Sequence, residues 1–193
     1  MLAGHFGVAG IVKAWRPEIP MAALLVASQV PDLVFAPLAA LGAESMAPAA
    51  PGLSGYGSLL ITAPFSHALV SNVVFAVVVG LLVHVFLRGR WGPDAGWVLG
   101  GVVFSHWLLD LLVHRPDMPL LPGGSGPPLL GLGLWEAPVA AAVVEGALVA
   151  AGALLYGWRT LRDLPDHRGR AWVYSAGVGL LLAGSFVFDL VAS

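Results

Sequence analysis

The chain is built from long apolar runs separated by short polar or Gly/Pro-rich stretches. A bilayer's hydrocarbon core, about 30 Å thick, needs roughly 20 mostly apolar residues in a helix. Five segments meet that requirement, and the pattern predicts membrane spans over 20–41, 64–87, 95–114, 134–158 and 171–191. Ahead of them, residues 2–14 form a shorter apolar piece with Lys13 near its end and Arg16 and Pro17 just beyond it. At about 1.5 Å per residue it reaches only some 20 Å, too short to span. No basic residue precedes it, so it does not read as a signal peptide. It is expected to be a half-helix or an interfacial helix. The predicted fold class is therefore all-α, a single polytopic helical bundle covering residues 1–193.

Charge gives this pattern a direction. Lys13 and Arg16 precede the first span, and Arg88 and Arg90 lie between the second and third. Arg159, Arg162, Arg168 and Arg170 lie between the fourth and fifth. If the five spans alternate, eight of the nine basic residues fall on one side, with only Arg115 opposite. The positive-inside rule then predicts a cytoplasmic N-terminus and an external C-terminus. The two longer loops on the outer side, 42–63 and 115–133, are rich in Gly, Pro, Ala and Ser. Such loops either cover a site or simply connect spans.

Composition agrees with the span pattern. Charged residues make up 10% of the chain and hydrophobic ones 58%, against about 25% charged in soluble domains. That balance excludes a disordered chain, a nucleic-acid-binding protein and an ordinary cytosolic enzyme. A net charge of −2 carries no bias toward polyanions. The absence of cysteine removes disulfides, thiolate metal sites and a cysteine nucleophile.

In such a chain an ionisable residue within a span is informative, since it costs roughly 2.5–3.5 kcal/mol to insert. The third span reads Ser105-His106-Trp107-Leu108-Leu109-Asp110-Leu111-Leu112-Val113-His114-Arg115-Pro116-Asp117. His106, Asp110 and His114 recur at i, i+4 and i+8, so they share one helix face about 80° wide. Imidazole and carboxylate on one face can converge on zinc or a similar divalent ion. The competing reading is a hydrogen-bonded ladder that joins helices. Asp32 follows Pro31 near the middle of the first span, where a proline frees a backbone carbonyl and kinks the helix. Glu145 stands in an otherwise apolar stretch of the fourth span. His67, in Ser66-His67, is expected in the first turn of the second span, roughly 10 Å shallower than His106 unless the helices tilt. His5 reaches the site only if residues 2–14 dip about 12 Å into the membrane from Lys13. Asp189 is open to either reading, His84 is structural, and Glu44, Glu136 and His167 are expected in solvent.

Gly4-His5, Asp32, Ser66-His67 and His106-x-x-x-Asp110, in this order and with Glu145 downstream, resemble the family of predicted membrane-bound metal-dependent hydrolases of bacterial inner membranes. That family is distantly similar to zinc-dependent phospholipase C and the single-strand-specific zinc nucleases. The resemblance covers about residues 1–146 and implies a zinc site, or a manganese one, that hydrolyses a phosphoester. It implies that Asp32, His67, His106 and Asp110 hold one metal and that His5 and Asp110 share a second. His114 and Glu145 would contribute to a third. The soluble relatives use an N-terminal tryptophan and a histidine one turn before the glutamate, where this chain has Met1 and Ala141, so one or two metals are expected. In this reading Asp32 serves as general base, and His114 or Asp117 protonates the leaving group. The depth of the residues suggests membrane lipids as surroundings and a lipid or lipid-linked substrate. The alternatives are a divalent-ion or proton transporter and a non-enzymatic structural protein. No His-Glu-x-x-His or Gly-x-Ser-x-Gly is present; Gly55-Tyr56-Gly57-Ser58 is a loop feature only.

Overall fold

The computed structural model describes residues 1–50, 56–124 and 126–192. It is all-α apart from two small hairpins. The helices are α1 (Leu2–Trp15), α2 (Met21–Ser28), α3 (Val30–Ala40), α4 (Leu69–Phe86), the single turn α5 (Arg88–Trp91), α6 (Ala95–Val113), α7 (Pro138–Asp163) and α8 (Arg168–Ala192). Helices α4, α6, α7 and α8 are each long and apolar enough to cross a membrane, and the bent pair α2–α3 makes a fifth span. Val77, Leu81, Val85, Leu154, Leu180 and Val187 point outward. Apolar side chains exposed on several helices are what a bilayer, not water, would cover.

The first span is broken, not merely kinked. Gln29 leaves helical geometry (φ −116°, ψ 9°), and α3 leaves α2 at 51°. Pro31 is the second residue of α3, where its missing N–H costs nothing. The break thus falls two residues before the proline expected to cause it.

Helix α1 is a half-helix inside the bundle, which settles its two expected placements. It runs parallel to α7, and glycines set the approach. A Cβ on Gly7 would lie 2.6 Å from the Leu148 carbonyl oxygen, and one on Gly10 would lie 3.0 Å from Gly152. Close helix approach through small residues is the membrane's substitute for a hydrophobic driving force. At its far end the Lys13 ammonium donates to the carbonyls of Pro17 (2.6 Å) and Ile19 (2.8 Å), closing the turn into α2. Helices α4 and α6 meet in the same fashion: a Cβ on Gly100 would lie 2.8 Å from the Ala76 carbonyl. Ala9, Ile19, Leu24, Val83, Leu99 and Val103 fill the space between α1, α2, α4 and α6.

The outer loops are partly ordered as strands. β1 (Ser45–Pro48) pairs antiparallel with β2 (Leu59–Thr62), Ser45 opposite Thr62. β3 (Met118–Pro119) pairs with β4 (Leu129–Leu130). The second span also starts later than the hydropathy pattern implied. Residues 64–68 are not helical, because α4 begins only at Leu69. The Asn72 amide pins this segment by donating to the carbonyls of Ser66 (2.9 Å) and Ala68 (3.0 Å). The fourth span likewise begins with a 3-10 turn at Leu134–Glu136 before α7.

Candidate metal centre

The C-terminal half of α6 carries His106 and Asp110, both buried. The other ligand-type side chains come from separate elements: His5 from α1, Asp32 from α3 and His67 from the segment before α4. Asp110 is the hub. Its Oδ1 lies 3.1 Å from His5 Nε2, while its Oδ2 lies 3.0 Å from His106 Nε2 and 3.3 Å from His67 Nε2. Asp32 Oδ1 approaches His67 Nε2 at 3.5 Å and His106 Nε2 at 3.7 Å. Two overlapping triads result, His5–His106–Asp110 and Asp32–His67–His106. The rings of His5 and His106 stack at 3.8 Å, and His67 and His106 are 5.5 Å apart.

The depth mismatch foreseen for His67 is absent, and tilt is not the reason. His67 is carried by the non-helical chain ahead of α4, which places it beside α6, where the Trp107 indole donates to its carbonyl at 3.0 Å.

What favours a cation here is the orientation of the rings. His106 Nδ1 lies 2.7 Å from the Ser28 carbonyl, at the break between α2 and α3. A carbonyl only accepts, so Nδ1 carries the proton, and in the neutral ring Nε2 presents a lone pair. That lone pair faces two carboxylates, and Nε2 is buried with no hydrogen-bond partner among the described residues. Lone pair against carboxylate is unfavourable unless a positive charge lies between. His114 is held likewise, with Nδ1 2.9 Å from Asp117 Oδ1. An outer partner on Nδ1 and a free Nε2 is how metal-binding histidines are oriented. Imidazole and carboxylate donors suit zinc, and manganese less selectively. The residues present therefore fit a divalent ion.

Five of the seven expected ligands come together. His114 and Glu145 lie in neither triad. His114 stacks 5.9 Å from His67 and 4.6 Å from Trp135, and Asp117 stands behind it. Glu145 is fully buried, but its carboxylate is committed elsewhere: Oε1 accepts the Gly4 N–H at 2.9 Å and Oε2 the Tyr56 hydroxyl at 2.5 Å. Asp189 accepts the Ala3 N–H at 2.8 Å. Two carboxylates thus cap the start of α1, whose unpaired N–H groups need acceptors. This fixes the helix that presents His5. Burial, together with the bond to Glu145, pushes the Tyr56 hydroxyl above its ordinary pKa.

Glu44 is not in solvent as expected. It is 2% exposed, and its carboxylate accepts the N–H groups of Phe65 and Ser66 and the Ser66 hydroxyl, each at 2.8 Å. No sequence signal marks it, because its partners, two backbone N–H groups and one hydroxyl, lie 21 and 22 residues away. Glu136 and His167 are exposed as expected. Gly55 lies outside the described residues; Tyr56, beside it, proved to reach Glu145.

A cavity of about 240 Å³ opens over the cluster. Its floor is His5, Asp32, His67, Asp110 and His114, and its walls include Leu2, Phe35, Met46, Ile61 and Trp135. No lysine or arginine lines it among the described residues. Asp32 is the most open carboxylate of the cluster, its side chain 41% exposed. No family model, no curated protein and no solved structure matches this chain.

Proposed function

We propose that the chain is a membrane-embedded metal-dependent hydrolase acting on a phosphoester of a lipid or lipid-linked substrate. One observation carries the reading: the buried His106 and His67 rings, whose Nδ1 atoms lie against the Ser28 carbonyl and the Ser66 hydroxyl, turn their Nε2 atoms onto Asp32 and Asp110 at the floor of an apolar-walled cavity. The resemblance of the same residues to the predicted membrane-bound hydrolases of bacterial inner membranes adds the reaction class. Eight of nine basic residues at the end away from the site support a cytoplasmic N-terminus and a site in the outer half of the bilayer.

Bound divalent ions would supply a water that ionises near neutral pH and polarise the phosphoryl oxygen. Asp32, the most open of the carboxylates that line the cavity, accepts the proton of the attacking water. His114 presents Nε2 from the cavity floor, and Asp117 on Nδ1 stabilises its protonated form. It gives that proton to the leaving oxygen as the P–O bond breaks. Phe35, Met46 and Ile61 provide an apolar wall against which an acyl chain can lie. A transporter would need a path onward. Below the site that path is filled by Leu24, Leu99, Val102 and Val103, which favours a pocket closed at its base.

The test is elemental analysis of the detergent-purified protein. About one or two equivalents of zinc or manganese, lost in His106→Ala and followed by turnover of a lipid phosphoester, are expected. Protein that binds neither metal after supplementation would overturn the reading.

A further inference from the structure

Resting on that reading, we infer that Glu44, through Ser66, is a positioning residue that sets which nitrogen of His67 is free to bind metal. The Ser66 hydroxyl is buried and lies 2.8 Å from both Glu44 Oε2 and His67 Nδ1. A hydroxyl has one proton. An ionised carboxylate is acceptor-only, so that proton goes to Glu44. The hydroxyl oxygen can then only accept from His67, which places the ring proton on Nδ1. Nε2 is left with its lone pair, aimed at Asp32 Oδ1 and Asp110 Oδ2. The polarity of the whole chain, imidazole to hydroxyl to carboxylate, is set at Glu44.

The segment needs this device because it is not a helix. His106 is oriented by its own helix and a carbonyl, whereas residues 64–68 have no regular ladder. Glu44 supplies the missing acceptors: one oxygen takes the two backbone N–H groups, and the other starts the relay. The loop's shape and the ring's tautomer are thus fixed by one side chain from the far side of the β1–β2 hairpin.

Glu44→Gln separates the two roles. Its carbonyl can still accept the Phe65 and Ser66 N–H groups, but its amide must donate to the Ser66 oxygen. The Ser66 proton then turns to His67 Nδ1, and the ring proton moves to Nε2, blocking the lone pair. Zinc affinity, measured by chelator competition on the full-length protein in detergent, is expected to fall about 10- to 100-fold, the usual cost of losing an outer-sphere partner. Ser66→Ala, which only cuts the link, should fall less. Nitrogen-15 spectra of the zinc-loaded protein should show the His67 ring proton on Nδ1 in the wild type and that Nδ1–H signal lost in Glu44→Gln. Zinc affinity unchanged in both variants, or a ring proton that stays in place, would overturn the relay and leave the metal site standing. A wild-type chain that binds no zinc would overturn both.

Discussion

The two ends of this bundle use the same residue types to opposite effect. At the basic end, Arg16 grips Asp94 through two bonds (2.7 and 3.1 Å) and also bonds Glu18, while His84 lies 3.4 Å from Arg88. These groups are at the surface, where an ion pair gains little over its hydration. At the site end, Asp110 and His106 are 3% and 1% exposed. There a carboxylate cannot be left alone, because an unpaired buried charge costs several kcal/mol. The lesson is that residue identity says little until its depth is known. An Asp–Arg clasp can be deleted, whereas the hub of a buried cluster cannot.

The largest difference should appear on removing that hub. Asp110→Ala deletes the one side chain that, among the described residues, touches His5, His67 and His106 together. Elemental analysis should find no bound metal and turnover should drop to background. Asp94→Ala, at the other end, should retain both. A metal content that survives Asp110→Ala would break the contrast.

Next comes His114, the proposed proton donor. His114 lies outside both triads, so His114→Ala should keep the metal and slow turnover by about 10²- to 10⁴-fold, the usual worth of a positioned acid. Asp117→Asn, which leaves His114 Nδ1 a weaker partner, should give a smaller loss in the same rate constant. Loss of metal in His114→Ala would instead make His114 a ligand.

Much of this contrast is legible in the chain itself. Apolar run lengths predict the bundle, and the i, i+4 spacing on α6 places His106 and Asp110 on one face before any coordinates. What cannot be read is anything that depends on a helix ending early. Residues 64–68 are apolar enough to extend α4, yet Asn72 and Glu44 hold them as an irregular turn, and His67 drops into the site for that reason. The break at Gln29, ahead of Pro31, is equally local, and it is where the Ser28 carbonyl meets His106. Glu44 itself reads as an ordinary loop glutamate, since accepting distant backbone N–H groups leaves no motif. The interior course of α1 is half-legible: Gly4, Gly7 and Gly10 recur at helical spacing, but the fit of Gly7 and Gly10 against Leu148 and Gly152 is a property of the pair of helices.

That fit gives the third prediction. A Cβ on Gly7 would enter the Leu148 carbonyl, a backbone group that cannot rotate away. Gly7→Ala should therefore cost about 1–3 kcal/mol of stability as α1 is pushed from α7. Because α1 carries only His5, one triad should loosen while Asp32–His67–His106 stays assembled. Zinc stoichiometry should fall in part, not to zero. Wild-type stability and stoichiometry would show that α1 is free to shift.

The smallest effect belongs to the basic end. The Arg16 guanidinium holds the Asp94 carboxyl below its ordinary value. A carboxylate depressed in the folded state stabilises it above the unfolded pKa, about 3.9, and that contribution fades as pH falls toward the folded value. The clasp is thus fully present at pH 7 and lost only in acid. Since Asp94 is exposed, Asp94→Asn should barely move the melting temperature at pH 7, and less still in high salt. Thermal melts of both proteins from pH 7 to pH 3 should converge at the acid end. A gap at pH 7 as large as that from Gly7→Ala would mean that the clasp locks α1 and α6 together. The two ends of the bundle would then be mechanically coupled, not merely different in depth.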